Sequence, residues 1–318
     1  MNDANNFATR SFEWPTLIIA LICYTGFFVS TSAYDILGPM ISAIILVLAL
    51  ALYSSLNHEV LHGHPFKNER LNTALVFPAL GLLIPYFRFR DTHLAHHHDP
   101  TLTDPYDDPE SNFVDPAVWE TWSITRKMLY KWNNTLLGRI LIGPMISMWG
   151  FYRQDGIEIF QRNKPIKDAY VFHFFGLIPL LLWWLAVADM PVWLYLVCVY
   201  VSHSVLKIRT FLEHCAHEKA RCRSVIIEDR GLLSFLFLKN NLHAVHHACP
   251  SLPWYQLQPF YEARRAAFLE RNGGYAYRSY TQIARLFLLK AKDPVPHSLW
   301  AADTRAAQPE KIAETATL

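Results

Sequence analysis

The chain is poor in cysteine, and the few cysteines that it has form no recognisable motif. Its 318 residues contain five cysteines, and no two of them are spaced as Cys-x-x-Cys. An odd, scattered set of this kind does not predict a disulfide framework. The sequence also contains no haem-binding motif and no cysteine-rich iron–sulfur motif. The cysteines therefore predict a protein whose thiols face a reducing compartment.

Lysine and arginine are missing from four long apolar segments. The segments are 15–34, 37–56, 170–188 and 190–206, and the first two have about the ~20 residues that a membrane-crossing helix needs. They account for much of a composition that is 52% hydrophobic. The loops near Asp35 and Asp189 also contain no lysine or arginine, whereas the other connections contain both. This asymmetry predicts two membrane hairpins whose basic ends, including both termini, lie on the cytoplasmic side.

Histidine is the residue type that stands out, and eight of the 15 histidines fall into three spaced clusters. Two histidines at i and i+4, or three at i, i+3 and i+4, project from one face of a helix and can aim several imidazoles at one point. Only about 0.03 occurrences of a chosen three-histidine spacing are expected by chance, and this spacing occurs twice. The clusters predict a site for two metal ions. Their members are His58 and His62, then His93, His96 and His97, and finally His243, His246 and His247.

Two shorter apolar stretches, 71–87 and 135–151, are interrupted by proline and glycine. If 71–87 crossed the membrane, the first two histidine clusters would lie on opposite faces and could not share metal ions. We therefore expect that segment to be interfacial or re-entrant. The predicted fold is an all-α integral membrane protein with four transmembrane helices in two hairpins, interfacial helices and a cytoplasmic histidine-rich di-iron cap. We expect one domain over 1–300 and a disordered tail over 301–318.

Several polar residues near the clusters are further candidates for the site. His214, just past the fourth apolar segment, is a candidate ninth ligand. Imidazole also binds copper, zinc and nickel. Eight or more histidines can hold two metal ions and still leave coordination positions vacant for oxygen, which favours iron. Neighbouring residues could supply extra ligands, bind a metal-bound water or fix the orientation of a ligand. These candidates are His64, His98, His217, Asn240, Asn241, Glu59 and Glu213.

An acidic stretch rich in proline follows the second histidine cluster. Asp104, Asp107 and Asp108 lie in it, within the sequence from Asp99 to Glu110. One interpretation is a solvated turn region, since proline and aspartate favour turns. The alternative is recognition of a cationic group, such as the amine of an amino-lipid head group. The sequence leaves both interpretations open.

With these three clusters, the chain resembles the membrane fatty acid desaturase superfamily over about residues 15–265. The resemblance implies two iron ions, ferrous when reduced, and O2 as co-substrate for breaking an unactivated C–H bond. It fits desaturation or hydroxylation of a fatty-acyl or amino-lipid substrate. Acyl-lipid desaturases commonly begin the last cluster with glutamine, and this chain has His243 there. A carotenoid hydroxylase or ketolase is the nearest alternative, and a histidine-rich metal transporter is an alternative of another class.

The resemblance also implies partners and a location. Because the chain carries no redox cofactor motif of its own, we expect an external electron donor such as a ferredoxin or a cytochrome-like protein. The other expected partner is the membrane lipid, and we expect no nucleic acid. The absence of a fused cytochrome domain and of an endoplasmic-reticulum retrieval signal favours a bacterial inner membrane, with the active site on the cytoplasmic side.

Overall fold

The fold is mostly helical. A computed structural model of the chain describes residues 13–300, so the expected tail at 301–318 lies outside the described residues. The helices of this part of the chain are α1 (Trp14–Ser32), α2 (Tyr34–Leu61), α3 (Glu69–Leu75), α4 (Tyr86–His96), α5 (Pro116–Thr121), α6 (Ile124–Asn133), α7 (Leu136–Phe160), α8 (Lys164–Ala186), α9 (Val192–Thr210), α10 (Leu232–Leu236), α11 (His243–Ala248), α12 (Trp254–Ala263), α13 (Arg265–Arg271) and α14 (Tyr280–Phe287). There are also two short 3₁₀ helices, Asp99–Thr101 and Ala220–Cys222. Two short strands, β1 (Ile226–Ile227) and β2 (Ala276–Tyr277), form a parallel pair.

Four of these helices are long and apolar enough to cross a membrane, as the sequence predicts. They are α1, α2, α8 and α9, and they form two hairpins. The turns of the two hairpins meet, because the backbone N–H groups of Asp189 and Met190 donate to the carbonyl oxygen of Thr31. Trp183 Nε1 also donates to the Thr31 hydroxyl, at 3.0 Å. Both turns therefore lie at one end of the bundle, and the histidine clusters lie at the other.

Helix α2 is longer than a membrane requires. Its 28 residues span about 42 Å at about 1.5 Å per residue, whereas the hydrocarbon core is ~30 Å thick. The helix bends near its start, where Gly38 has a φ of 75° and Pro39 follows. The remaining straight part ends at Leu61, with His58 in its last turn and His62 as its C-cap. The first histidine cluster thus lies at the end of α2 that is opposite the turn between α1 and α2.

The stretch between α3 and α4 passes among the candidate membrane helices without being helical itself. We call residues 76–85 the re-entrant segment, a name taken from the sequence prediction that 71–87 is interfacial or re-entrant. Backbone groups in an apolar layer must find partners inside the protein. Here several carbonyl groups accept hydrogen bonds from side chains of the long helices. The hydrogen bonds run from Tyr24 OH to Leu75 O (2.7 Å), Tyr53 OH to Val76 O (2.9 Å), Tyr195 OH to Leu80 O (2.9 Å) and His173 Nε2 to Leu82 O (2.8 Å), and the Ala79 N–H donates to Gly176 O (3.1 Å).

The substitution Tyr53→Phe is expected to destabilise the protein. The buried Tyr53 hydroxyl lies 2.9 Å from Val76 O and 2.5 Å from Pro78 O, so its removal leaves two carbonyl groups of the re-entrant segment without this donor. The expected loss of unfolding free energy is about 1–3 kcal/mol. Thermal unfolding in detergent measures it, with Tyr200→Phe as control because that hydroxyl bonds to Leu141 O at an exposed position. Equal melting temperatures for the two variants would contradict this role of Tyr53.

Helix α7 contains the second short apolar stretch, 135–151, and continues well beyond it. It includes Pro144, packs along α9 and α8, and does not belong to the four candidate spans. Arg88 of α4 and Tyr170 of α8 both bond to the buried carboxylate of Asp155, with Arg88 Nη2 at 2.6 Å and Tyr170 OH at 2.9 Å. This buried ion pair joins α4, α7 and α8 close to the histidine clusters.

Helix α11 is held in place by the small β-pair and by its own apolar residues. The Ala244 N–H donates to Val225 O, and the Ile227 N–H donates to Asn241 O, which ties the start of the helix to β1 and to the residue before it. Leu242 and Val245 are completely buried and pack with residues of α12 and α13. With its apolar side fixed in this way, the short helix presents its three histidines toward α2 and α4.

Candidate metal centre

The first group of histidines joins both halves of the chain. His58, His62, His93 and His246 each offer a ring nitrogen, and these atoms all lie within 4.8 Å of one another. The i, i+4 spacing of His58 and His62 places both rings on one side of the end of α2, with ring centroids 4.9 Å apart. Helix α4 contributes His93, and α11 contributes His246. Three separate elements thus enclose one point.

The second group has the same form. His96, His214, His243 and His247 also place one ring nitrogen each within 4.8 Å of one another. The Nε2 atoms of His96 and His243 both lie 2.9 Å from His214 Nε2, and those of His247 and His243 are 3.1 Å apart. His214, the ninth candidate, therefore belongs to this group.

His97 lies between the two groups. Its Nε2 is 3.0 Å from His93 Nε2 and 3.1 Å from His246 Nε2, both of the first group. Its ring also stacks on that of His247, of the second group, with centroids 4.3 Å apart. All nine histidines that the sequence selects are thus brought together as two adjacent groups.

The chemistry of these nitrogens fits bound cations. Two imidazole nitrogens about 3 Å apart repel each other unless a proton or a cation lies between their lone pairs. His58 Nε2 and His62 Nε2 are buried and have no hydrogen-bond partner among the described residues. Such groups cost free energy unless a ligand satisfies them. The donor set therefore suits two metal ions better than it suits a network of hydrogen bonds.

Burial keeps most of these imidazoles neutral, which is the form that binds metal. Burial is the main cause that lowers the pKa of His62 to about 2, and neighbouring histidines such as His93 add to it. The same two causes, burial first, hold the pKa values of His214, His243 and His246 well below the ordinary value. At neutral pH each of these side chains is a neutral imidazole, which has one ring nitrogen with a free lone pair that can bind a metal ion.

Two carboxylates of the acidic stretch bond to histidines of α4. His96 Nδ1 lies 2.7 Å from Asp108 Oδ1, and His93 Nδ1 lies 2.9 Å from Glu110 Oε1. A proton held on Nδ1 leaves the Nε2 lone pair free to point into the centre. Burial lowers the pKa of His96, but Glu110 and Asp108 outweigh it and raise the pKa to about 9. These carboxylates thus favour positive charge at the place where a metal ion would bind.

The second group has weaker orienting partners. His243 Nδ1 donates to Asn240 Oδ1 at 3.1 Å, and His214 Nδ1 lies 3.3 Å from the Ser224 hydroxyl. Glu213 lies 3.8 Å from His243 Nδ1 and forms an ion pair with Arg209 at 3.0 Å. Asn240 and Glu213 were selected from the sequence as neighbours of the site, and both lie beside it. Ser224 was not selected, since no sequence pattern connects it with His214.

Three of the other candidates are placed away from the ligating nitrogens. His98 and His217 are exposed, and His217 Nδ1 accepts a hydrogen bond from the Lys219 N–H at 3.0 Å. Asn241 is buried, but its side chain bonds to Ser234 and to backbone carbonyl groups near β1. Asn241 therefore supports the fold around α11 and orients no ligand.

Glu59 and His64 belong to a separate buried cluster. His64 Nδ1 lies 2.8 Å from Glu13 Oε1, and Glu59 Oε1 accepts a hydrogen bond from the Trp254 N–H at 2.9 Å. The three side chains approach one another within 4.8 Å. Glu59 thus faces away from His58, its neighbour in sequence, and the cluster ties the start of α1 to the end of α2 and to α12.

Asp108, one of the three candidates for head-group recognition, is turned toward the histidines. Its side chain is buried, and its two oxygens accept from His96, Thr103 N and Glu110 N. Asp104 caps the turn by accepting from the N–H groups of Tyr106 and Asp107, whereas Asp107 is exposed. Glu110 lies in the same acidic stretch but is not among the site residues selected from the sequence. Its position shortly after the second histidine cluster could have suggested that it bonds to a histidine.

A cleft between the long helices leads toward the first group. Its lining comes from α2, the re-entrant segment, α4, α8 and α9. Asn57 and Phe89 lie at the end nearest the histidines, and the Phe89 ring is 5.7 Å from the His93 ring and 6.5 Å from the His58 ring. Most of the lining is apolar, so the cleft offers an apolar molecule a path to the centre.

The chain matches a model of a known protein family. The model described as "Fatty acid desaturase" matches residues 36–280, a range that includes all nine histidines. None of the curated proteins compared with the chain matches it.

Proposed function

Because the chain belongs to the fatty acid desaturase family, we propose that it is a di-iron oxidoreductase that uses O2 to desaturate or hydroxylate a membrane lipid. The family supports a membrane oxidoreductase of the desaturase and hydroxylase type, and the substrate is a fatty-acyl or amino-lipid. The observation that carries the proposal is the convergence of nine histidine nitrogens into two adjacent groups.

The two groups define which residues would hold the metal ions. His58, His62, His93 and His246 would bind one iron, and His96, His214, His243 and His247 the other, with His97 between them. Imidazole ligands suit iron, and histidine sets with open positions are typical of oxygen-activating sites. When bound, the iron pair supplies the oxidising power that breaks an unactivated C–H bond.

The protein's own side chains prepare this chemistry. Asp108 and Glu110 keep protons on the Nδ1 atoms of His96 and His93, so that Nε2 faces the centre. The Phe89 ring lies beside His58 and His93, and the neighbouring lining of the cleft is largely apolar. An apolar wall of this kind excludes water from the reacting carbon and from the oxidant.

The cleft supports a lipid substrate that enters from the membrane. Its walls are α2, α8, α9 and the re-entrant segment, all beside or within the candidate membrane bundle. Ser54, Asn57 and His203 are polar side chains in this lining, placed among aliphatic and aromatic ones. Polar groups facing a cavity between membrane helices commonly mark a substrate path. We propose that they position a lipid next to the first histidine group.

The electron donor and the orientation complete the proposal. We propose a separate ferredoxin or cytochrome-like donor that docks on the cytoplasmic side of a bacterial inner membrane. The concentration of lysine and arginine at the histidine-bearing end supports this orientation. It also supports docking of an acidic donor, because complementary charge increases the rate of encounter.

Mass-spectrometric lipid analysis tests the proposed activity. Host membranes containing the chain and a ferredoxin system, supplied with ¹⁸O₂, are compared with membranes containing His97→Ala. The neighbouring variant His98→Ala is the matched control, because His98 is exposed. A lipid that loses two hydrogens identifies a desaturase, and one that gains ¹⁸O identifies a hydroxylase. We expect such a product with wild type and His98→Ala and at most about 1% of it with His97→Ala. Products confined to carotenoids, or metal flux without any oxidised lipid, would overturn the proposal.

A further inference from the structure

A second cavity lies away from the metal centre, between α6, α7 and the loop before α5. Its volume is about 710 Å³, which falls within the about 300–1,000 Å³ typical of small-molecule sites. Its lining has no residue in common with that of the cleft beside the histidines. The proposed oxidation of a lipid does not use this cavity.

The long walls of the cavity are apolar and aromatic. Val118 is buried, whereas Met145 and Trp149 of α7 are 62% and 72% exposed at its edge. Leu129 and Ile146 complete the facing sides on α6 and α7. A cavity with such walls that is open at one edge suits a hydrocarbon chain entering from an apolar surrounding.

Two side chains of the cavity lining, Trp122 and Arg126, carry N–H groups that have no acceptor among the described residues. The Trp122 side chain is only 9% exposed, and its Nε1 has no hydrogen-bond partner among the described residues. The Arg126 guanidinium stacks on the Trp122 ring at 3.8 Å and forms no ion pair with any residue in 13–300. The buried carboxylate of Asp115 also lines the cavity, but it accepts from Tyr106 OH at 2.9 Å and from Ala117 N at 2.6 Å. The donors therefore remain available to an anionic oxygen.

The mouth of the cavity adjoins the candidate membrane helices. Tyr200 of α9 bonds to Leu141 O of α7, and Tyr152 of α7 bonds to Leu83 O of the re-entrant segment. Helix α7 thus lies along the bundle of candidate membrane helices. The exposed apolar side chains of α7, Met145 and Trp149, lie beside this bundle. On α6, Ile124 is 72% exposed, and basic residues follow directly at 126 and 127. Apolar and aromatic residues together with lysine and arginine are typical of helices at the lipid–water boundary.

We propose that this cavity binds one anionic phospholipid of the bilayer. The phosphate accepts from Arg126 and from Trp122 Nε1, and an acyl chain lies between α6 and α7. The arginine selects for net negative charge, because a guanidinium binds a phosphate through charge-assisted hydrogen bonds. A zwitterionic phospholipid carries its own cation, which competes with Arg126 for the phosphate. The bound lipid would fix α6 and α7 against the membrane without entering the metal centre.

Native mass spectrometry of the full chain in detergent tests the proposal. The protein is titrated with phosphatidylglycerol, with phosphatidylcholine of the same acyl chains, and with oleate. We expect one retained phosphatidylglycerol, bound about tenfold more tightly than phosphatidylcholine, and loss of this preference in Arg126→Gln. Lys127→Gln removes the same charge from the same helix, but Lys127 pairs with Glu120 at 3.0 Å, so the preference should persist.

A second variant tests the apolar part of the site. Ile146→Trp fills the space between α6 and α7 and should prevent retention of phosphatidylglycerol, while unchanged metal content shows that the fold is intact. Equal binding of both phospholipids by wild type, or a preference that survives in Arg126→Gln, would overturn the proposal. Retention of oleate without phosphatidylglycerol would overturn it as well, because the ligand would then be a free fatty acid.

Discussion

Replacing His62 by alanine should leave the purified protein with about one tightly bound metal ion instead of two and should abolish turnover. His62 belongs to the first histidine group, so the second group keeps all of its donors. His214→Ala is expected to have the complementary effect, since His214 has close contacts with three members of the second group. Because both ions act together, each variant should lose activity by more than about a hundredfold, the upper end of the effect of outer-shell changes.

Metal analysis after reconstitution with Fe²⁺ under anaerobic conditions measures the first quantity, and lipid turnover measures the second. The control is His217→Ala, since His217 is an exposed histidine only three positions from His214. It should retain both ions and full activity. A His62→Ala protein that still binds two ions would disprove the assignment of two separate sites. Loss of one ion from the control His217→Ala, as well as from His62→Ala and His214→Ala, would also disprove it.

Asp108→Asn should weaken metal binding by about 10–100-fold while leaving the protein folded. The carboxylate accepts three N–H groups: His96 Nδ1 at 2.7 Å, Thr103 N at 2.8 Å and Glu110 N at 2.9 Å. An amide has only one oxygen, so its NH₂ group must face a donor on one side. If it faces His96, the ring has to accept on Nδ1 and carry its proton on Nε2, which then cannot bind metal.

Competition with a chelator gives the affinity for Fe²⁺, and Asp107→Asn provides a neighbouring exposed control. If the defect is one of ligand orientation, raising the Fe²⁺ concentration should restore turnover in Asp108→Asn. A purely structural defect would instead lower the unfolding temperature and would not respond to iron. Unchanged Fe²⁺ affinity in Asp108→Asn would show that this carboxylate does not set the tautomer of His96.

The sequence predicts the membrane bundle and the nine convergent histidines because both depend on local periodicity. An apolar run without lysine or arginine reports a long helix, and the observed bounds of α1 and α9 lie within a few residues of 15–34 and 190–206. Histidines spaced by three and four residues share a helix face whatever the rest of the fold does. Their division into two groups, with His97 between them, depends on how α2, α4 and α11 cross, and no local pattern encodes that.

The residues that bond to the histidines could not be predicted from the sequence, for a related reason. Asp108 and Glu110 return to His96 and His93 only because the chain turns back through a 3₁₀ helix and a series of tight turns. Thr103 in this region has a φ of 72°, a backbone conformation that a sequence pattern does not reveal for threonine. Similarly, Glu59 adjoins His58 in sequence but points to Glu13 and His64, since adjacent residues on a helix face different directions.

The division of the ligands along the chain sets the order of events during biosynthesis. Each histidine group takes members from both halves of the protein, and the last member of each, His246 and His247, comes from α11. A nascent chain that has inserted only its first hairpin therefore has neither group complete. The two proposed iron sites are therefore complete only after α11 has been synthesised and the second hairpin has joined the first. On the proposed assignment, a chain truncated before α11 would reach the membrane without a complete site for either ion.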